Sequence, residues 1–141
     1  MDHGNFQCAY CGHTASEWDH LRPLVVNKRP TGYISEIYNL VPACGKCNQS
    51  KGNKSWKTWI QSTAKLSPKS RGIQDIDERI RRLEKYEQWS QPTRIDFETV
   101  VGKEKWTQHW ANCELVQTTM RDAQQLATDI RQTIAKSHAS T

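Results

Sequence analysis

Four cysteines carry the most specific chemistry in this 141-residue chain, and they form two Cys-x-x-Cys pairs: Cys8 and Cys11, then Cys44 and Cys47. Four thiolates fill the tetrahedral coordination shell of zinc and leave no open position for water. In a reducing compartment, such pairs are typical of metal ligands rather than of disulfides. We therefore predict a structural zinc site that joins the two ends of a loop of about thirty residues.

A second set of side chains, Asp19, His20 and Asn48, lies within and directly after this loop. A carboxylate and an amide oxygen are suitable ligands for a hard cation such as Mg²⁺, which keeps its other positions for water and phosphate. Histidine changes its charge close to physiological pH, so it can take a proton from an attacking water. These residue types predict metal-assisted hydrolysis of a phosphodiester, because a cation offsets the negative charge that develops there.

The motifs follow one another in one ordered pattern: Cys8-x-x-Cys11-Gly12, Glu17-x-Asp19-His20-x-x-Pro23, Ile37-x-Asn39-Leu40 and Cys44-x-x-Cys47-Asn48-x-Ser50-Lys51-Gly52-Asn53-Lys54. Over residues 8–54 this pattern resembles the HNH endonucleases, the zinc-bearing branch of the ββα-metal nucleases. The resemblance implies an α+β fold with a small zinc-bound ββα-metal core. It also implies hydrolysis of DNA phosphodiester bonds to 5′-phosphate and 3′-hydroxyl ends.

The resemblance also implies a role for each matching residue. His20 corresponds to the general base, and Asp19 and Asn48 correspond to the ligands of the catalytic cation, Mg²⁺ or Mn²⁺. Asn39 corresponds to the middle asparagine, which orients His20 or braces its loop. The cysteines correspond to the ligands of the structural zinc. Glu17 is either a carboxylate that supports the site or an ordinary strand residue.

Basic residues are concentrated in the first half of the chain. The formal net charge of +5 divides into +6 for residues 1–72 and −1 for residues 73–141, and Glu36 is the only acidic residue between Arg22 and Arg71. Such a local excess attracts polyanions and supplies phosphate contacts. We predict that basic side chains near the site contact DNA: Arg22, Lys28, Arg29, Lys51 and Lys54.

The remaining pattern predicts two regions, an HNH core over residues 1–64 and a helical region over residues 73–141. The segment Lys65–Gly72 has the composition of a linker. Apolar residues then recur at helical spacing to about Trp89, and again from Trp106 to Ile134, which predicts a helix of about thirty residues. Its stripe includes Cys113, which we expect to be a buried core thiol. Because so long an apolar stripe needs a covering surface, we expect a homodimer or a docked protein partner.

Two alternatives to a free-standing nuclease stay open at this point. A zinc-knuckle module that binds nucleic acid without catalysis would explain the cysteines, but it has no need for Asp19, His20 and Asn48 together. A nuclease subunit of a larger restriction or phage-defence assembly would share the chemistry. The sequence lacks the apolar runs of a membrane span and of a signal peptide, so we expect no membrane association and a cytoplasmic location.

Overall fold

The computed structural model describes residues 6–140, which divide after Ile95 into two compact units. The first unit contains short elements in the following order: β1 (Glu17–His20), β2 (Val25–Val26), β3 (Arg29–Pro30), a 3₁₀ turn (Ile37–Asn39), β4 (Leu40–Ala43), α1 (Gly45–Lys51), α2 (Trp56–Ile60) and α3 (Ile76–Trp89). The second unit contains α4 (Phe97–Val101) and α5 (Lys103–Ala139).

Two antiparallel strands and one helix form the centre of the first unit. Strand β1 pairs with β4 so that Glu17 lies opposite Ala43 and His20 opposite Leu40, and α1 packs against β1. Helix α1 ends at Lys51 and is capped by Gly52, whose φ of 52° is readily adopted by glycine. This β–β–α arrangement beside a cluster of four cysteines confirms the predicted α+β class and the ββα-metal core.

The core of the first unit lies between this centre and the helices that follow it. Side chains of the first cysteine turn, the position after β1, β4, α1, α2 and α3 are buried together: Cys8, Tyr10, Cys11, Leu21, Val41, Ala43, Cys47, Trp56, Trp59, Ile60 and Leu83. The Tyr10 and Trp59 rings meet edge to face, with centroids 5.2 Å apart, an arrangement that stabilises aromatic pairs. Helix α3 therefore contributes to the core of the first unit, whereas the predicted grouping placed residues 73–141 together.

The segment Lys65–Gly72 is packed structure rather than the predicted linker. Ser67 and Pro68 are fully buried, and the Ser67 hydroxyl donates a hydrogen bond to the Ser62 carbonyl over 2.7 Å. The polar composition of this segment suggested exposure, but its serines form turn hydrogen bonds to the backbone instead. As a result, the chain enters α3 in a fixed position.

A two-residue hairpin connects β2 and β3, and Val26 lies opposite Arg29. Asn27 and Lys28 form the turn with φ angles of 52° and 63°. Positive φ at both central residues matches the twist of a tight hairpin, but such angles are uncommon for lysine. The hairpin projects the exposed side chains of Lys28 and Arg29.

Helix α5 is 37 residues long, and none of its described side chains is buried. The prediction of a long helix from Trp106 to Ile134 is confirmed, but Cys113 is only partly buried, with its Sγ 3.8 Å from His109 Nε2. The expectation of a buried thiol was wrong because the apolar stripe has no covering layer within the described part of this unit. Within residues 6–140, no helix is both long and apolar enough to cross a membrane.

Candidate active site and metal centre

The sulfur atoms of the four cysteines lie close together, as the two Cys-x-x-Cys pairs predicted. One ligand atom from each lies within 4.8 Å of the others, and Cys11 Sγ is 3.6 Å from Cys44 Sγ. Zinc–sulfur bonds of about 2.3 Å in a tetrahedron require sulfur atoms about 3.8 Å apart. Cys8 and Cys47 are fully shielded from solvent. The donor set and its spacing thus fit a closed, four-coordinate metal ion.

Local structure explains why the thiols converge. In the first pair, the Gly12 amide donates to the Cys8 carbonyl over 2.9 Å, and Gly12 adopts a φ of 79°. In the second pair, Cys44 precedes the first turn of α1 and Cys47 lies within that turn. Each Cys-x-x-Cys segment therefore folds back on itself and directs both sulfur atoms to one side.

The pKa values of two of these thiols are shifted in opposite directions. Hydrogen bonds from Cys47 and from Cys8 hold the pKa of Cys11 well below its ordinary value. The same contacts, first with Cys11 and then with Cys8, raise the pKa of Cys47. Burial lowers the pKa of Arg71, but the neighbouring thiols of Cys11, Cys47 and Cys44 raise it by more. Of these thiols, Cys11 thus favours its negatively charged form, which is the form that binds metal.

The candidate catalytic residues lie where β1 meets α1. Alternation along a strand places Glu17 and Asp19 on the same face of β1. Asn48 of α1 donates a hydrogen bond to Glu17 Oε2 over 2.5 Å. Of the two roles considered for Glu17, this contact favours the supporting carboxylate. Glu17, Asp19 and Asn48 thus carry oxygen donors on two neighbouring elements, and carboxylate and amide oxygens are the donor types that suit a hard divalent cation.

Asp19 is 95% buried, and its carboxylate oxygen Oδ2 has two polar partners. The Tyr10 hydroxyl donates to Oδ2 over 2.5 Å, and Lys51 Nζ lies 2.9 Å from the same atom. Burial, followed by the charge of Asp19, raises the pKa of Tyr10 well above its usual value. Tyr10 therefore stays a hydrogen-bond donor, and Asp19 is held by one oxygen in a fixed orientation.

Lys51 has a different position from the one predicted. Its side chain is fully buried, and beside Asp19 it donates to the carbonyls of His20 over 2.8 Å and Gly52 over 3.3 Å. All three ammonium donors are thus used inside the protein. The prediction that Lys51 contacts phosphate was wrong because helical spacing placed it beside Asn48 but could not show which face is buried.

His20 is the last residue of β1, and Asn39 is the last residue of the 3₁₀ turn that leads into β4. His20 Nε2 lies 2.9 Å from the Ser35 hydroxyl, so the imidazole is held by one ring nitrogen. Asn39 is fully buried; it accepts a hydrogen bond from the Arg22 amide and donates one to the Arg22 carbonyl, each over 2.9 Å. Of the two roles considered for Asn39, these contacts favour bracing the loop that follows His20.

The remaining basic residues divide into two groups. The Arg22 guanidinium donates to the Glu87 carbonyl over 3.2 Å and to the Ser90 hydroxyl over 3.4 Å, so it contacts the carboxyl end of α3. Lys28 and Arg29 are exposed in the β2–β3 hairpin, and Lys54 is exposed after α1 with its Nζ donating to the Ser50 carbonyl.

Several of these contacts could not be found from sequence. Tyr10, Ser35 and Arg71 each lie in unremarkable local sequence, and tertiary folding brings them to Asp19, His20 and the cysteines. Only Glu17 could have been found from the sequence, because its two-residue spacing from Asp19 along β1 places both side chains on the same face.

Comparison with known proteins agrees with this geometry. Residues 8–54 match the model of the HNH endonuclease family. The CRISPR-associated endonuclease Cas9 of Corynebacterium diphtheriae is 41% identical over 64 residues, and the match spans 43% of this chain but only 6% of that protein. No solved structure matches significantly. The chain therefore carries an HNH endonuclease domain over residues 8–54.

Proposed function

We propose that this chain is a metal-dependent DNA endonuclease. What supports the proposal is that, in a segment matching the HNH domain, the strand that carries a tethered histidine and a buried, oriented carboxylate contacts the helix that carries an asparagine. A bound divalent cation such as Mg²⁺ would supply positive charge to offset the charge that develops on the phosphate and the leaving oxygen. Asp19 and Asn48 are the residues that would hold it.

The chain's own residues account for the proton transfer. In this proposal Nε2 of His20 carries the ring hydrogen and donates it to the Ser35 hydroxyl, which leaves Nδ1 to take a proton from water. The oxygen of that water attacks phosphorus, and the bond from phosphorus to the 3′ oxygen breaks. The 3′ oxygen then takes up a proton from solvent. The products are a 5′-phosphate and a 3′-hydroxyl.

The cysteine cluster has a separate role in this proposal. A zinc ion held by Cys8, Cys11, Cys44 and Cys47 would have no open coordination position, so it would stabilise the fold and would not activate water. Lys28, Arg29 and Lys54 are the exposed basic residues that we propose contact the DNA backbone.

Cleavage of plasmid DNA by the purified full chain tests the proposal. We expect nicked or linear products with Mg²⁺ or Mn²⁺ and none with EDTA. His20→Ala should reduce cleavage by about 10²–10⁴-fold while DNA binding in a gel-shift experiment stays near wild type. His13→Ala, an exposed histidine in the first cysteine turn, is the matched control and should retain activity. DNA binding without cleavage in the wild-type protein would instead support the non-catalytic zinc-knuckle alternative.

A homodimer through α5 is the assembly that we propose. Residues recur every seven positions along this helix as Trp106, Cys113, Met120, Ala127 and Ile134, a spacing typical of a coiled-coil seam. Met120 and Ile134 are 59% and 52% exposed in the single chain. Two copies paired in this way would bring two nuclease centres to one DNA molecule, one for each strand.

Light scattering at micromolar concentration should give twice the chain mass, and Met120→Glu should give a monomer. A wild-type monomer would favour a docked protein partner, such as a restriction or phage-defence assembly.

A further inference from the structure

Arg71 lies outside the matched domain and reaches the cysteine cluster with its side chain. It belongs to the packed segment between α2 and α3, where its amide donates to the Ser67 carbonyl over 3.1 Å. The neighbouring Ser67 and Pro68 are fully buried and fix this turn against the core. The position of the Arg71 side chain is therefore set by tertiary packing and not by the domain of residues 8–54.

The guanidinium group contacts sulfur directly. Arg71 Nη2 donates to Cys47 Sγ over 3.0 Å. Its Nε and Nη1 are also shielded from solvent, and neither has a hydrogen-bond partner within the described residues. A guanidinium with two shielded and unpaired donors is unfavourable beside neutral thiols, because those donors have lost water without gaining a partner. The same group is favourable beside thiolates.

The charge of a loaded metal site supplies that counter-charge. Four thiolates and one divalent ion carry a net charge of −2, which is costly in a buried position. A guanidinium hydrogen-bonded to one sulfur offsets part of this charge through charge-assisted bonds, which are among the strongest in proteins. Donation to sulfur also makes the thiolate less nucleophilic towards oxidants and alkylating agents.

We propose that Arg71 is an outer partner of the cysteine metal centre, that is, a residue that contacts a ligand and not the metal. In this role Arg71 stabilises the thiolates and slows loss of the metal. Retention of the metal then depends on a residue seventeen positions beyond the matched domain, so residues 8–54 do not make the whole centre. The inference rests on the zinc site in the proposed function. It does not depend on catalysis.

The rate of zinc release from the zinc-loaded full chain tests this role. Zinc is released to a chromogenic chelator, with and without N-ethylmaleimide, and circular dichroism confirms that each variant is folded. Loss of an outer partner typically weakens metal binding by about 10–100-fold, and we expect Arg71→Gln to release zinc faster by about that factor. Arg81→Gln is the matched control, because Arg81 is an exposed arginine of α3 paired with Glu78; it should release zinc at the wild-type rate.

Two further outcomes keep the proposal open to refutation. If Arg71→Gln fails to fold, Arg71→Lys keeps the charge and the aliphatic stem but loses the planar fork, and it should release zinc several-fold faster. Wild-type release rates in a folded Arg71→Gln or Arg71→Lys variant would overturn the role of Arg71 and leave the zinc site intact. A wild-type protein that retains no zinc would overturn both.

Discussion

Lys51 Nζ lies 2.9 Å from Asp19 Oδ2, with both side chains almost completely removed from solvent. Lys51 comes from α1 and Asp19 from β1, so this ion pair fastens the helix to the strand at the candidate active site. The Tyr10 hydroxyl donates to the same carboxylate oxygen. A buried pair of this kind is costly to break on one side only, since the remaining charge is left without a partner.

Replacement of Lys51 should therefore destabilise the protein strongly. Lys51→Met keeps much of the side-chain volume but leaves the Asp19 carboxylate buried and unpaired, which costs about 3–5 kcal/mol. Lys54→Met, at an exposed lysine three residues later, should change stability by about 0.5 kcal/mol or less. Urea unfolding of the two variants measures the difference. Equal stabilities would show that the Lys51–Asp19 pair contributes nothing in solution.

Tyr10 should make stability fall at alkaline pH. Burial and the Asp19 charge raise its pKa in the folded state, whereas in an unfolded chain tyrosine loses its proton near pH ~10. Because the folded state keeps a proton that the unfolded state has lost, this stability is complete below about pH 10 and is lost as pH rises further. Denaturant midpoints between about pH 9 and pH 11 should fall less steeply in Tyr10→Phe.

Tyr38→Phe is the control for this pH dependence, because the Tyr38 side chain is exposed. It should leave the slope unchanged. Some slope should remain in Tyr10→Phe, since burial also raises the pKa of Tyr86. An identical slope in wild type and Tyr10→Phe would contradict the prediction.

Ser35 should act as a positioning residue for His20 in the proposed reaction. Loss of its hydroxyl in Ser35→Ala frees the imidazole ring, so we expect kcat to fall about tenfold, less than the loss from removing the base itself. KM should stay near the wild-type value, because the change affects the orientation of the base and not the binding of DNA. Ser16→Ala, at an exposed serine beside β1, should have no effect. A KM that rises together with the fall in kcat would indicate a general structural role.

Two cysteine variants should separate the metal ligands from the fifth cysteine. Cys44→Ser removes a proposed ligand, and the metal and the fold of about residues 1–60 should be lost together, since metal binding in such sites drives folding. Cys113→Ser, at the partly exposed thiol of α5, should keep the metal. Elemental analysis and circular dichroism report the two properties. An active, folded Cys44→Ser protein without zinc would disprove the structural role of the cluster.

The β2–β3 hairpin should contribute to DNA binding through charge. Lys28→Ala with Arg29→Ala should weaken binding similarly on unrelated DNA sequences. If both side chains contact phosphate, the salt dependence of log affinity should fall by about 1.8, that is, about 0.9 for each contact. Lys103→Ala with Lys105→Ala, on the first turn of α5, keeps the same net charge change as a control. Equal losses in both double variants would indicate a nonspecific effect of net charge.

Sequence alone predicted the cysteine cluster, the class of domain and the long C-terminal helix. The two Cys-x-x-Cys pairs could be read as one metal cluster because local turns orient both thiols of a pair whatever surrounds them. Motif order predicted the β–β–α centre, and apolar periodicity predicted the long helix α5. Both signals depend on residues that are near one another in the sequence. The HNH assignment rested on the same local information.

Tertiary structure alone decided which side chains serve those motifs. Lys51 looked like a surface cation, but packing of α1 on β1 placed it inside with Asp19. The segment Lys65–Gly72 looked like a linker, but it packs on the core and brings Arg71 to Cys47. Burial and long-range pairing depend on how elements meet, and for Arg71 and Cys47 the partners are separated by 24 residues. Local composition therefore cannot predict contacts between residues that are so far apart in the sequence.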